Sequence, residues 1–372
     1  MRRVACVDLF CGAGGLTHGL LSEGIPVVAG VDVDEACRYP FETNNGARFI
    51  TKDVSELTTQ NLVELFGPSE IRILAGCAPC QPFSTYAQRY DNKASPRWDL
   101  LYQFARLIES TLPHVVTMEN VPMVTNYQVF DDFVDTLLRL GYHDPWFASV
   151  DCVDYGLPQQ RNRLVLLASR LQPIELLSPT HDQPVTVREK IGSLPALAAG
   201  ESSLTDRLHT AATLSDLNLK RIRASSPGGS WRDWPKRLIA ECHLRDSGRT
   251  YPGVYGRMEW DQPAPTLTTQ FFGFGNGRFG HPEQDRAISL REGAILQGFP
   301  KKYAFVPKGE PIYFRILGRM IGNAVPVTLG KIIGRSITKH LGITPKKKTH
   351  PRTATESKGT AASNDRSEPL FD

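Results

Sequence analysis

Short apolar runs alternate with longer amphipathic stretches through the first 170 or so residues. The runs Val4–Phe10, Pro26–Val33, Ile71–Cys77, His114–Met118 and Leu164–Ala168 read as strands. Gly15–Glu23, Leu100–Thr111 and Val129–Leu140 read as helices; in the second, Leu101, Phe104, Ala105 and Ile108 recur at helical spacing. Strands alternating with helices of this length predict βαβ units, hence an α/β fold with a mostly parallel sheet. Ligands of such sheets bind beyond the carboxyl ends of the strands.

The texture changes after about residue 172. Residues 173–285 are rich in Pro, Gly, Ser and Thr, as in SSPGGSW and FFGFGNGRFGHP, and carry weak periodicity. They predict a smaller, loop-rich second domain. Regular pattern returns at Leu290–Gln297 and Val327–Leu341, so residues 286–342 are expected to complete the large domain formed by residues 1–172. The polar stretch 343–372 is expected to be disordered, with Lys346–Lys348 adding at most nonspecific phosphate attraction.

Composition narrows the class. Of 372 residues, 41% are apolar and 22% charged, ordinary globular usage. No run approaches the roughly 20 consecutive apolar residues of a membrane helix, so no membrane partner is expected. The first residues, MRRVACVDLF, meet an acid before any signal-peptide core develops, and the seven cysteines form no disulfide framework. A reducing, cytoplasmic setting is expected. The net charge of +4 is too mild to identify a partner. Between Glu201 and Arg257, however, ten basic residues face six acidic ones, with Trp231, Trp234 and Tyr251 interleaved. That mixture suits a nucleic acid and equally an ordinary solvated surface.

Six segments carry candidate chemistry. DLFCGAGG, Asp8–Gly15, places three glycines between a strand and a helix, where backbone can approach a ligand closely. Thr17 stands where the dinucleotide fingerprint needs its third glycine, so phosphate binding is not favoured. The Asp8 carboxylate fits a cationic ligand better; a plain tight turn fits too. GVDVD ends the next strand with Asp32, suited to a ribose diol, and Asp34, suited to a helix cap. Asp53 follows the third extended segment, in range of an adenine amino group or simply in a surface turn. AGCAPCQPFS holds Cys80 between Pro79 and Gln81-Pro82, a stiffened loop around one thiol. Cys77 and Cys80 also spell C-x-x-C, but no second pair exists to complete a zinc site, and no metal is expected. VVTMENVP delivers Glu119 and Asn120 at a strand end, where a partly desolvated carboxyl can act as an acid or serve as a cap. YGLPQQRNRLVLL sets Arg161 and Arg163 two apart at a strand start, on one face, where they require acceptors.

Taken in order, DLFCGAGG, GVDVD, KDV, APCQPFS, MENVP, YGLPQQRNR, LREGAILQGFP and IGNAVP resemble the cytosine-5 DNA methyltransferase family of prokaryotic restriction–modification type. The resemblance spans roughly residues 4–340 apart from 172–285, where this family keeps its variable target-recognition region. It implies a Rossmann-like S-adenosylmethionine-dependent methyltransferase fold acting on duplex DNA. By position, Phe10, Gly12 and Gly14 would hold the methionine end of S-adenosylmethionine, with Asp32 on the ribose, Val33 on the adenine face and Asp53 on the adenine amino group. Leu100 and Asn323 would line the same site. Pro79 and Cys80 would be the nucleophile pair, Glu119 the residue holding the target base, and Arg161 and Arg163 the Q-x-R-x-R element behind Gln159. Met320 departs from the family pattern, which often has glutamine there. The resemblance further implies a monomer at the nucleoid, paired in function with a restriction endonuclease encoded elsewhere. An RNA methyltransferase on the same scaffold, a silent DNA-binding module and a C-x-x-C redox protein remain as alternatives at this point. The long variable segment, and the absence of the Cys-Phe-Thr tripeptide of RNA-directed relatives, favour DNA. The polar stretch after Cys80, with Arg89, Lys93 and Arg97, suits a loop that closes on DNA.

Overall fold

The structure is a computed structural model that describes residues 3–79 and 99–343. Cys80, the Arg89–Arg97 stretch and Lys346–Lys348 lie outside the described residues. Seven strands form one sheet in the order β3-β2-β1-β4-β5-β7-β6. They are β1 (Val4–Leu9), β2 (Val27–Asp32), β3 (Arg48–Thr51), β4 (Ile71–Gly76), β5 (Val115–Asn120), β6 (His143–Asp151) and β7 (Asn162–Ser169). β3 through β5 run parallel, and β7 runs antiparallel to both β5 and β6. β1, β4 and β5 are buried along nearly their whole length, as near-continuous apolar runs require when helices cover both faces.

One face is covered by α3 (Thr59–Phe66), α4 (Asp99–Thr111) and α5 (Gln128–Arg139), preceded in the chain by α1 (Gly15–Ser22) and α2 (Arg38–Asn45). Leu62, Phe66, Phe104, Ile108, Phe133 and Leu137 pack there against Leu9, Leu74 and Val116. The opposite face meets α1 and the last long helix. After α5 come α6 (Val187–Ile191), α7 (Asp216–Arg223), α8 (Glu241–Leu244) and α9 (Asp246–Arg249). The chain closes with α10 (Leu290–Leu296), α11 (Phe314–Asn323) and α12 (Val327–Leu341). Leu16 and Leu20 of α1 pack with Ile332, Ile333 and Ile337 of α12. The two helices cross through glycines: a Cβ on Gly19 would lie 2.5 Å from the Gly330 carbonyl carbon. Phe314–Leu341 has the length and mean hydropathy of a membrane span, yet 72% of its most apolar window is buried inside the protein. It is core by packing.

The sheet explains where a site belongs. Strand order reverses direction about β1, so the loops after β1 and β4 open a crevice at their carboxyl ends. Leu9 pairs with Gly76, and Gly76 with Met118, so these three strands end level. Because β7 is antiparallel, its first residues lie beside the last of β5: Asn120 pairs with Leu164 and Glu119 with Val165. The motif before β7 therefore arrives at the same edge as the motif after β5.

Residues 173–285 hold few regular elements, and their side chains pack with those of the large sheet region. Val187, Leu208, Met258, Phe271 and Phe279 share one core with Phe41, Phe49, Leu296 and Tyr303. A smaller core of their own contains Ile222, Trp231, Trp234, Leu238 and Phe274. The Trp231 ring stacks on His243 at 4.3 Å and donates through Nε1 to the Tyr251 carbonyl. Trp234 Nε1 donates to Ser225 Oγ. The pairing of tryptophans with basic residues, read from sequence as a DNA-contact texture, is thus corrected for both rings: they are core. Tyr251, Arg232, Arg245, Arg249 and Gln270 stay at the surface.

Candidate active site

The glycine turn after β1 is built by backbone strain and by distant anchors. Phe10, Gly12 and Gly14 all take positive φ, at 56°, 50° and 88°. Only the two glycines adopt that region without cost, so Phe10 is the strained member. A side chain on Gly14 would strike Asn45 and Tyr303, whereas nothing lies within 4 Å of a Cβ built on Gly12. The turn is therefore packed from behind at Gly14 and open above Gly12. Tyr303 holds it from the far end of the chain, donating to the Ala13 carbonyl at 2.6 Å.

Asp8 lies beneath this turn, 1% exposed. Thr17 Oγ1 donates to its Oδ2 at 2.6 Å, while Oδ1 has no hydrogen-bond partner among the described residues. Burial, opposed by the Thr17 bond and assisted by the Asp32 charge, raises its pKa to about 7. Asp32, at the end of β2, accepts from Gly12 N on Oδ2 and from Asp34 N on Oδ1, both at 2.9 Å. Each oxygen keeps a further lone pair. Burial raises its pKa as well. Beside it Val33 is 68% exposed, an apolar platform beyond the sheet edge. Asp34 caps the following turn through Ala36 N and pairs with Arg319 Nη2 of α11 at 2.5 Å. Asp53 accepts from Ser55 N and Oγ, so its Oδ1 serves a local turn. Leu100 stands half-buried at the start of α4. Asn323 ends α11, exposed, between Gly322 and Ala324. Met320 is buried in the core, as is Gly322, while Asn323 is exposed.

The second half of the site forms around Glu119, which is 3% exposed. Cys77 Sγ donates to its Oε2 at 2.7 Å. Arg163 Nε lies 2.9 Å from Oε1, an ion pair outside hydrogen-bond geometry. Asn120 Nδ2 donates to the Ala78 carbonyl, and its Oδ1 accepts from Val121 N. Cys77 and Ala78 thus tether the backbone leading to Pro79, the last described residue before Cys80. Cys77 N also reaches the Leu9 carbonyl at 3.3 Å, which sets this loop beside the glycine turn. A hollow of about 440 Å³ opens next to Arg163, lined by Asp151, Gln160, Asn162 and Thr266. Another, of about 340 Å³, sits at the amino end of the sheet, around Val4, Ile71 and His340, away from these groups.

The two arginines divide. Arg163 faces Glu119, whereas Arg161, 3% exposed, donates to the carbonyls of Leu267 and Gly322 at 3.3 and 3.2 Å. Sequence reading grouped them on one face and had no means of separating their partners. It also missed Cys77 as a partner of Glu119, Arg319 as a partner of Asp34, and Gln297. The C-x-x-C spacing was the one available signal for Cys77, and it suggested redox chemistry instead.

Three comparisons bear on this site. The C-5 cytosine-specific DNA methylase family matches residues 4–339. The Type II methylase M.HgiDII of Herpetosiphon aurantiacus is 51% identical over 342 residues, covering 91% of this chain and 96% of its own. The Type II methyltransferase M.Sau96I of Staphylococcus aureus is 30% identical, covering 90% of this chain and 75% of its own. Among solved structures, one assigned as a DNA modification methyltransferase encoded within a prophage (E. coli) superposes with TM-score 0.71 at 22% identity, covering 91% of this chain and 99% of its own. That likeness shows the Rossmann-like methyltransferase fold. The chain belongs to the C-5 cytosine-specific DNA methylase family, and within it is of the Type II restriction–modification kind.

Proposed function

We propose that this enzyme transfers a methyl group from S-adenosylmethionine to carbon-5 of a flipped-out cytosine in duplex DNA, with Cys80 as covalent nucleophile. The observation that carries the reading is the placement of Glu119. It sits between the Cys77 thiol and the Arg163 guanidinium, on β5, which pairs with β4, the strand that leads to Pro79 and lies beside the strand ending in the glycine turn.

The residues present fit the cofactor. The orphaned Asp8 Oδ1 and the open space above Gly12 suit its ammonium-bearing end. Phe10 and Gly14 shape that end, Asp32 has lone pairs for the ribose diol, and Val33 offers an apolar surface to adenine. Asp53, Pro79, Leu100 and Asn323 complete the lining. When bound, the cofactor supplies an electrophilic methyl group on a sulfonium.

The chain's own residues supply the rest. A base must leave the stack before a thiol can reach carbon-6. The Cys80 thiolate then forms a bond to carbon-6, and the electron pair displaced from the ring collects at carbon-5. Glu119 steadies N3 and the exocyclic amino group. Arg163 holds Glu119 and contacts the ring carbonyl, because the Arg161 donors that reach Leu267 and Gly322 are already engaged. After methylation a base takes the carbon-5 proton, the electron pair returns to the ring, and the sulfur of Cys80 leaves. Residues 173–285 choose the sequence, with Arg232, Arg245, Arg249 and Gln270 exposed for contact. The enzyme works as a monomer at the cytoplasmic nucleoid and protects DNA from a separately encoded endonuclease of matching specificity.

Cys80→Ser tests the mechanism: methyl transfer to duplex DNA is abolished while DNA binding remains measurable. Full activity in that variant overturns it. Bisulfite sequencing of DNA from cells expressing the protein identifies both the modified base and its context.

A further inference from the structure

Three chain segments meet in one buried polar network that the methylation chemistry does not itself require. The first is Gln159 and Arg161, just before β7. The second is 264–268, where residues 173–285 return to the sheet. The third is the α10–α11 region that presents Asn323. Gln159 is wholly buried; its Oε1 accepts from Leu267 N at 2.9 Å, and its Nε2 donates to Gln297 Oε1 at 2.8 Å. Gln297, also wholly buried, donates to the Ala324 carbonyl at 2.6 Å. Arg161 spans the gap, reaching Leu267 O with Nη1 and Gly322 O with Nη2. The carbonyls on either side of Asn323 are therefore both held, one by Arg161 and one by Gln297. α11 lies flush on the recognition segment: a Cβ on Gly322 would come within 2.8 Å of Thr269 N. Leu267 is flanked by Thr266, which lines the hollow beside Arg163.

We propose that Arg161 is a positioning residue that locks segment 264–268 to the backbone around Asn323, so that duplex binding and cofactor binding reinforce each other. A guanidinium fork fixes two carbonyls from different segments at one separation, which a lysine point charge cannot do. Both carbonyls are buried, so losing the fork leaves them without partners and frees the segments to shift independently. A ligand that orders one segment then orders the other chiefly through this residue, since the remaining polar link runs through two side-chain amides in series, Gln159 and Gln297, and such coupling is reciprocal between the two sites. The proposal rests on the functional reading above for the identity of the two ligands, though not for the lock itself.

Hydrogen exchange on the full chain tests it, with Arg161→Met, Arg161→Lys and Gln297→Leu beside wild type. In ligand-free protein, Arg161→Met speeds exchange in 264–269 and 318–325 together, on the order of tenfold, and leaves β1 and β4 unchanged. S-adenosylmethionine slows both segments in wild type but only 318–325 in Arg161→Met. The affinity gained for S-adenosylmethionine on adding duplex DNA, on the order of tenfold in wild type, disappears in the variant. Arg161→Lys shows the same uncoupling in milder form and covers a Met variant that fails to fold. Gln297→Leu loosens 318–325 without touching Arg161. Equal protection of both segments in Arg161→Met, or faster exchange spread evenly over β1 and β4, overturns the proposal. Failure of S-adenosylmethionine to protect 318–325 in wild type counts against the cofactor reading instead, and the ligand-free comparison still decides the role of Arg161.

Discussion

The sheet region and residues 173–285 reach order by opposite means. Around the sheet, backbone groups satisfy one another in ladders, and apolar faces on α1, α4, α5 and α12 close the core. In residues 173–285 most backbone lacks a ladder, and buried arginines take its place. Arg257 donates to the carbonyls of Ile222, Ser225, His281 and Gln284 and to Asp285. Just past the end of this region, Arg286 binds Glu292 with both arms and pins the Leu197 carbonyl as well as that of Ala287. A scaffold that repeats its hydrogen bonds resists sequence change. A loop assembly pinned at a few guanidinium hubs lets the surface between hubs vary, but fails when a hub is lost.

The sharpest break in that comparison is chemical. Glu119→Gln keeps the sheet and its ladders yet removes the carboxylate, so the methyl-transfer rate falls roughly 10²–10⁴-fold at unchanged melting temperature. A matching drop in stability would instead make Glu119 a scaffold residue. Next is the hub itself. Arg257→Met removes a buried donor shared by four carbonyls and Asp285, of which Ile222, Gln284 and Asp285 keep another donor, costing about 3 kcal/mol, read as a lower melting temperature and weaker DNA binding with cofactor affinity retained. Gly19→Val probes the sheet side: overpacking against Gly330 costs about 2 kcal/mol in urea unfolding, with DNA specificity unaltered. The smallest effect is a pH slope. Asp8 titrates about pH 7, and only its ionised form attracts an ammonium. Affinity for S-adenosylmethionine therefore rises about fivefold from about pH 6 to about pH 7, as the ionised fraction grows. In Asp8→Asn, calorimetry should find that slope gone; an undiminished slope removes Asp8 from the cofactor site.

Much of the sheet could be read from the chain because its strands are continuous apolar runs. β6 escaped because it is an edge strand with alternating exposure and a proline, Pro145, at a register shift. α11 escaped because FRILGRMIGN carries two glycines, each required by close contact: Gly318 against Phe272 and Gly322 against Thr268. Trp231 and Trp234 looked like ligand contacts because composition reports residue type and not direction. Cys80, the proposed nucleophile, was visible only as a motif and lies outside the described residues.

Local order along the chain was enough to place each motif at a strand end, because spacing and periodicity act over a few residues. Which motif faces which was decided in three dimensions. The antiparallel course of β7 brings Arg163 to Glu119, and closure of the far end of the chain brings Gly322 to Arg161, 161 positions away. Such partners are selected by the whole packed sheet, since a buried charge must find acceptors wherever the fold happens to deliver them.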